Sequence, residues 1–261
     1  MEGLFHVHST YSSDGKLSLE ELREECLNRN LKFMVVTDHA EDFTPGKIKK
    51  YVNHCREISD EDFWAIPGLE YVIDKEHQVH LLVVNLEGLP FEKGPEAILY
   101  AVREGKGSPL AVVAHLSRCD YFIPPDYEQT IDGIEVWNAA YNSRYLPDHK
   151  AIDLFIKLKK KNPRLVGFGG LDLHDRTGFR GLRICLKDAC RNPNDLLDQL
   201  KGGKFIIYGS YFRISSIPRL GSFPLFLLML GRKIVSRADS CRWRLVSWRR
   251  ALFSSIFNSD L

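Results

Sequence analysis

The sequence predicts an α/β fold, a parallel sheet or barrel wrapped in helices, and three observations predict it. Short apolar runs alternate with amphipathic stretches through most of the 261 residues, which is the pattern of strands joined by crossover helices. The length suffices to bury one substantial core as a single barrel-sized domain, or two small ones. Histidines and carboxylates recur where the apolar runs end, and in parallel α/β barrels the carboxyl ends of the strands meet on the face that builds the site.

In chain order, "LFHV" at 4–7 reads as a first strand. Ser18 with Glu21 forms a capping-box signature ahead of the helix "LEELREECLNRN", the serine and glutamate each satisfying an amide the other leaves free. "KFMVVTDH" is a buried strand, and Thr44 followed by Pro45 starts a helix reaching about 58. "WAIPGLEYV" and "QVHLLVVNL" are strands, 95–104 a helix and "LAVVAHL" a strand. "GIEVWN", a helix over 148–161, "RLVGFGGLDLH", the helix "NDLLDQL" after Pro193 and "KFIIYG" complete the series. No internal repeat or low-complexity linker interrupts it. Residues 1–212 therefore read as one domain and 213–261 as an extension.

The formal charge of +2 gives no global argument for a nucleic-acid partner, but it is unevenly distributed. Residues 218–261 carry eight Lys/Arg against Asp239 and Asp260, a net of +6, which leaves the preceding 217 residues at −4. Within 222–257, two helices broken near Ala238–Ser240 are expected. In the second, Leu245, Trp248, Leu252, Phe253 and Ile256 recur at helical spacing with arginines between them. That pattern suits a helix packed on the barrel, or contact with an anionic membrane surface or a protein partner. The longest apolar run, "FPLFLLML", has eight residues against the roughly 20 that span a bilayer. The six cysteines show no C-x-x-C pair. Reduced, mostly buried thiols and a cytoplasmic location are the expectation, with no signal peptide at the N-terminus.

His6 and His8 are two apart on a strand, so both rings are expected on one side, with Cα atoms about 7 Å apart. Two imidazoles so spaced can reach one cation. Asp172 and His174 repeat the arrangement late in the chain, and His39, His80 and His115 lie on other strands or strand ends. A buried neutral imidazole needs a partner for each ring nitrogen, which several isolated core histidines would not easily find.

"HVHSTYSSDG", "VVTDH", "PGLE", "VHLLVV", "VVAHLSR", "IEVWN" and "GLDLHD" together resemble the ordered motifs of the PHP family, the polymerase and histidinol phosphatase domain, over about residues 4–208. The resemblance implies a distorted (β/α)7 barrel holding two or three divalent metal ions; the basic, apolar C-terminal helical extension departs from the family pattern. It implies that His6, His8, Glu70 and Asp172 bind one metal and that Glu70, His80 and His115 bind a second, with Glu70 bridging. Asp14, His39 and His174 would bind a third. Asp14 also sits in a good turn signal, "SDG", and His77 competes with His80. Asp38, beside His39, and Glu135 are candidates for orienting an imidazole, and a hydrogen-bonded carboxylate inside the barrel is the alternative for Glu135.

Mixed imidazole and carboxylate ligands suit Zn, Mn or Fe. Two such cations a few ångströms apart suit in-line displacement at phosphorus by a metal-activated hydroxide. Glu70, Asp172 and His174 are then the expected catalytic residues. Arg118, Arg176 and Arg180 follow ligand strands, and each could hold a phosphate bidentately or stand as a solvated loop cation. The expectation is a phosphoesterase acting on small phosphorylated metabolites or nucleotides, with no stable nucleic-acid partner. Two alternatives stand beside it. One is a nuclease or a polymerase-associated 3′-5′ exonuclease-like module, which the net acidic barrel region and the lack of polymerase sequence disfavour. The other is a domain that uses metal only for structure.

Overall fold

The computed structural model describes residues 1–218 except 93 and 106, together with 221 and 224–234, and the side chain of residue 180 is outside that description. The chain divides into two compact units, 1–219 and 220–261.

The first unit is built on a ten-stranded sheet in the order β10-β9-β8-β1-β2-β3-β4-β5-β6-β7. Strands β1 (Glu2–Val7), β2 (Phe33–His39) and β3 (Trp64–Asp74) are parallel. β4 (Val79–Val84) is antiparallel to both β3 and β5 (Leu110–Val113), after which β6 (Gly133–Asn138) and β7 (Val166–Gly170) are again parallel to β5. One strand of seven is therefore reversed. This departs from the uniformly parallel pattern that alternating strands and helices suggest. Residues 75–78 form a tight hairpin with no room for a crossover helix.

The seven strands nearly close. Leu171 N–H donates to Phe5 O at 2.9 Å, His8 N–H to Leu173 O at 2.8 Å and Leu173 N–H to His6 O at 3.3 Å, so the chain leaving β7 returns to β1. At the opposite end the gap is spanned by three antiparallel strands, β8 (Arg183–Leu186), β9 (Phe205–Tyr208) and β10 (Arg213–Ser215). β8 pairs with the start of β1, and Gly167 N–H donates to Ser216 O at 2.7 Å just beyond β10. The barrel is thus distorted, closed directly at one rim and through a side strip at the other.

Helices α1 (Leu19–Leu27), α2 (Pro45–Glu57), α3 (Pro95–Glu104), α4 (Pro125–Glu128), α5 (His149–Lys161) and α6 (Pro193–Lys201) join the strands. The Ser18 capping box is formed in both directions, and Thr44, Asp148 and Asn192 cap α2, α5 and α6 with their side chains. α1 buries Leu19, Leu22 and Cys26, one stripe at helical spacing. Phe168 on β7 stacks on Phe5 of β1 at 4.8 Å and meets Phe205 of β9 at 5.1 Å, tying the strip to the barrel core. Cys26, Cys55 and Cys119 are buried free thiols, and Cys185 and Cys190 are free and half-buried.

In the second unit, residues 224–234 form a helix. The expected second helix of the tail, with Trp248 and its neighbours, lies outside the described residues. Among the described residues no helix is long and apolar enough to cross a membrane.

Candidate metal centre

Strand direction decides which side chains meet. The carboxyl ends of β1, β2, β3, β5, β6 and β7 share one rim, and because β4 is reversed its first residues lie on the same rim. His80, second in β4, pairs across from Val72 late in β3. Residue His77, in the hairpin, instead bonds Asp74 and packs on the Phe122 ring. His80 is therefore the histidine brought to the cluster.

Backbone irregularities aim the candidate ligand side chains. The β1–β2 register shifts between Phe5 and Val7, and the residue at the bulge, His6, has φ of 65°. A bulge re-aims a side chain that regular pleating would fix. His8 lies beyond β1 and is held by its bond to Leu173, yet the two rings end 5.2 Å apart. His115 and Asp172 also have positive φ, 25° and 53°. Three non-glycine residues of one cluster in this disfavoured region indicate a backbone fixed by its surroundings.

Three groups of side chains converge: His6, His8, Glu70 and Asp172, all buried; Glu70, His80 and His115, all buried; and His8, Asp14, His39 and His174, of which only His8 is buried. Within each group one ligand atom per residue lies within 4.8 Å of the others. Glu70 belongs to two groups through different oxygens. Oε1 lies 2.6 Å from His80 Nδ1 and 2.9 Å from His115 Nε2, whereas Oε2 lies 3.3 Å from His6 Nε2 and 3.3 Å from His8 Nε2. Asp172 Oδ1 faces the same two nitrogens at 3.4 and 3.3 Å. Asp14 Oδ2 lies 3.2 Å from His39 Nε2 and 3.0 Å from His174 Nε2. His8 joins this third group, which the motif reading did not include, its ring stacked 4.2 Å from that of His174.

The charges around the buried imidazoles are unbalanced towards the negative. Burial lowers the pKa of His6, but Asp172, Glu135 and Glu70 outweigh it and raise His6 well above the ordinary imidazole value. The same contest, burial against hydrogen bonding to Asp172 and Glu70, leaves His8 pushed up to about 9. Burial opposes ionisation of Glu70 and Asp172, yet the imidazoles hold both well below the usual carboxylate range. Such a site demands positive charge, which protons or cations can supply.

The ring atoms favour cations. His8 Nδ1, His80 Nε2 and His115 Nδ1 are buried without hydrogen-bond partners, and His8 Nε2 meets only the Glu70 and Asp172 carboxylates, each at 3.3 Å. An unsatisfied buried polar atom calls for a specific explanation. Imidazole nitrogens ringed by carboxylate oxygens are a donor set suited to divalent transition metals.

Two carboxylates support this centre from outside it. Glu135 Oε1 accepts from His6 Nδ1 at 2.8 Å, and Oε2 accepts from the His115 N–H at 2.7 Å and Asn138 Nδ2 at 2.8 Å. The approach requires glycine at 170, because a Cβ there would overlap Glu135 Oε1. Asp38 does not orient an imidazole. Its oxygens accept from the N–H groups and hydroxyls of Ser9 and Ser12, and Ser12 Oγ accepts from the His39 N–H at 2.7 Å. It therefore fixes the loop that carries Asp14.

The three arginines diverge. Arg118 is exposed, donating to Tyr141 OH at 3.2 Å with its guanidinium 5.7 Å from the centre of that ring, and the Tyr141 ring lies 4.9 Å from His115. Tyr141, in the loop after β6, was not signalled by any motif. Arg176 is directed onto α1, at 3.3 Å from Glu21 and 3.7 Å from Glu25. The Arg180 side chain lies outside the described residues. His54 bonds Tyr11 and Glu20, and neither it nor half-buried His149 joins the three groups.

The family model for the PHP domain matches residues 5–145. Among solved structures, the fold resembles a two-domain protein from Bacteroides vulgatus ATCC 8482 described as containing a predicted PHP-like metal-dependent phosphoesterase. The TM-score is 0.62 at 17% identity, covering 89% of this chain and 69% of that one. It also resembles PsfC from Pseudomonas syringae PB-5123, with a TM-score of 0.55 at 13% identity over 91% of this chain and 98% of that one. At these identities the likeness establishes the fold. No curated protein matches the sequence.

Proposed function

The chain belongs to the PHP domain family, and from that premise we propose that it is a metal-dependent phosphoesterase hydrolysing small phosphorylated metabolites or nucleotides. Two or three divalent ions, Zn, Mn or Fe, are held by the three groups, with His6, His8, Glu70 and Asp172 at the first, Glu70, His80 and His115 at the second, and Asp14, His39 and His174, joined by His8, at the third. The observation that carries this reading is the division of the Glu70 carboxylate, one oxygen towards His80 and His115 and the other towards His6 and His8. When bound, ions in such a setting supply a nucleophile from water at neutral pH and positive charge against the phosphoryl oxygens.

The residues of this chain do the rest. Glu70 puts negative charge between two cation sites. Glu135, by accepting the Nδ1 proton of His6, leaves Nε2 facing Glu70 and Asp172, the tautomer a ligand needs. Substrate reaches the centre on the third-group side, where the Asp14 side chain is 49% exposed while that of Glu70 is 1% exposed. Arg118, backed by Tyr141 beside His115, binds the phosphate of the substrate through its planar fork of donors.

The test is phosphate release by the purified full chain, loaded with Mn, Zn or Fe, from a panel of monoesters, nucleotides and oligonucleotides, with and without chelator. Chelator-sensitive release from small esters is expected. Fully metallated protein that is silent on every ester and oligonucleotide would overturn the reading, and cleavage of oligonucleotides alone would replace it with a nuclease.

A further inference from the structure

The second unit carries an observation independent of the metal centre. On the helix over 224–234, Phe226, Leu227, Leu230 and Ile234 are exposed, from 38% for Leu230 to 68% for Ile234. At 100° per residue they fall within one arc of about 100°, so they form a single apolar stripe rather than scattered contacts. Large apolar side chains gathered on one exposed face mark an interaction surface.

What covers this face is indicated by the sequence around it. From 224 to 257 the chain carries seven Lys/Arg against Asp239 alone, together with Trp243, Trp248, Phe253 and Phe257. A nucleic acid would match the positive charge but has no use for the apolar stripe. A protein groove would match the stripe but does not need an excess of six positive charges. The interfacial region of an anionic membrane takes both, apolar and aromatic side chains entering the acyl boundary while arginines meet lipid phosphates. The attraction is local, since residues 1–217 are net −4 and would be repelled by the same surface.

We propose that residues 224–257 bind an anionic phospholipid surface through the exposed stripe of the 224–234 helix and the basic, tryptophan-containing segment that follows. The test is flotation of the full chain with vesicles of phosphatidylcholine alone or mixed with phosphatidylglycerol. Binding to the mixed vesicles only is expected, weakening by at least about tenfold when salt is raised well beyond the physiological range. Phe226→Glu combined with Leu230→Glu should reduce that binding by about tenfold or more, as should Arg242→Glu with Arg244→Glu, with metal content and circular dichroism unchanged. Three results would overturn the proposal: no binding to mixed vesicles by the folded chain, equal binding to both kinds, or binding that both variants leave intact. Sedimentation showing self-association that Phe226→Glu abolishes, without vesicle binding, would assign the stripe to a second copy of the chain instead.

Discussion

Glu135 grips His6 and His115 at once, one carboxylate oxygen 2.8 Å from the His6 Nδ1 and the other 2.7 Å from the His115 backbone nitrogen. These are two of the three positive-φ residues of the cluster. One side chain thereby stabilises two strained conformations on opposite sides of Glu70, and it does so without touching a proposed cation site itself.

Glu135→Gln should therefore weaken metal binding although no proposed ligand is altered. The amide has one acceptor oxygen, so either the His6 ring or the donors at His115 and Asn138 must lose a partner. A fall in affinity of about 10–100-fold is expected, measured by competition with a chelating dye. Unchanged affinity would show that Glu135 is only a buried barrel carboxylate.

Asp38 acts through the loop that follows His8 and carries Asp14. Asp38→Ala leaves the Ser9 and Ser12 amides without their acceptor, costing about 1–3 kcal/mol of stability and releasing the loop that carries Asp14. Asp38→Asn retains an acceptor for the amides and a donor for the Ser9 hydroxyl, and should be milder. Denaturant melts together with metal content check this. Equal behaviour of the two variants would assign the effect to charge rather than hydrogen bonding.

Without metal, stability should fall with rising pH. His8 is raised from 6.5 to about 9 in the folded chain, so its protonation favours folding. That contribution is complete below about pH 6.5 and is lost as pH rises through about 9, up to about 3 kcal/mol in all. Bound cations require the neutral imidazole, so loaded protein should not show this decline. Melting temperatures with chelator and with Mn, measured between pH 6.5 and 9, are the check; superimposable profiles would contradict it.

Much of the site was legible because its signals are local. Pairs such as His6 with His8 and Asp172 with His174 are two residues apart, and the motifs containing them are short. Strand direction is not legible in an apolar run itself, which reads the same whichever way it points. The reversal of β4 that brings His80 to the rim shows only in the short connection between "WAIPGLEYV" and "QVHLLVVNL", too short for a crossover helix. β8 and β10 were missed because each is short and opens on an arginine, Arg183 and Arg213, so neither shows the unbroken apolar run that marks β5 and β9. The partners of Asp38 illustrate a different gap. Adjacent residues on a strand face opposite sides, so its place beside His39 argued against a shared imidazole, while the serines it binds, 26 and 29 residues earlier, could not be inferred from spacing. Tyr141 is a loop aromatic whose role depends wholly on where β5 and β6 bring Arg118 and His115.

Arg118→Ala should raise KM for small phosphoesters by about tenfold or more with a smaller change in kcat, because the lost group binds phosphate in ground and transition states alike. Arg118→Lys should not restore it, as an ammonium lacks the fork. Tyr141→Phe, which keeps the ring and removes the acceptor, should fall between. Initial-rate kinetics and competitive inhibition by inorganic phosphate separate these outcomes, and an unchanged KM in Arg118→Ala would remove this arginine from the site.

The central claim is that one carboxylate serves two cation sites, and metal content in two isosteric variants tests it most directly. Glu70→Gln removes the negative charge between His80 and His115 on one side and His6 and His8 on the other, leaving neighbouring cations to repel one another in a buried setting. Asp14→Asn alters a single partly exposed ligand, with His8, His39 and His174 remaining. Elemental analysis per chain should show the loss of about two metals and essentially all activity from the first, and of at most one metal, with turnover restored by excess metal, from the second. Equal losses in the two variants, or full occupancy in Glu70→Gln, would contradict the bridging role of Glu70.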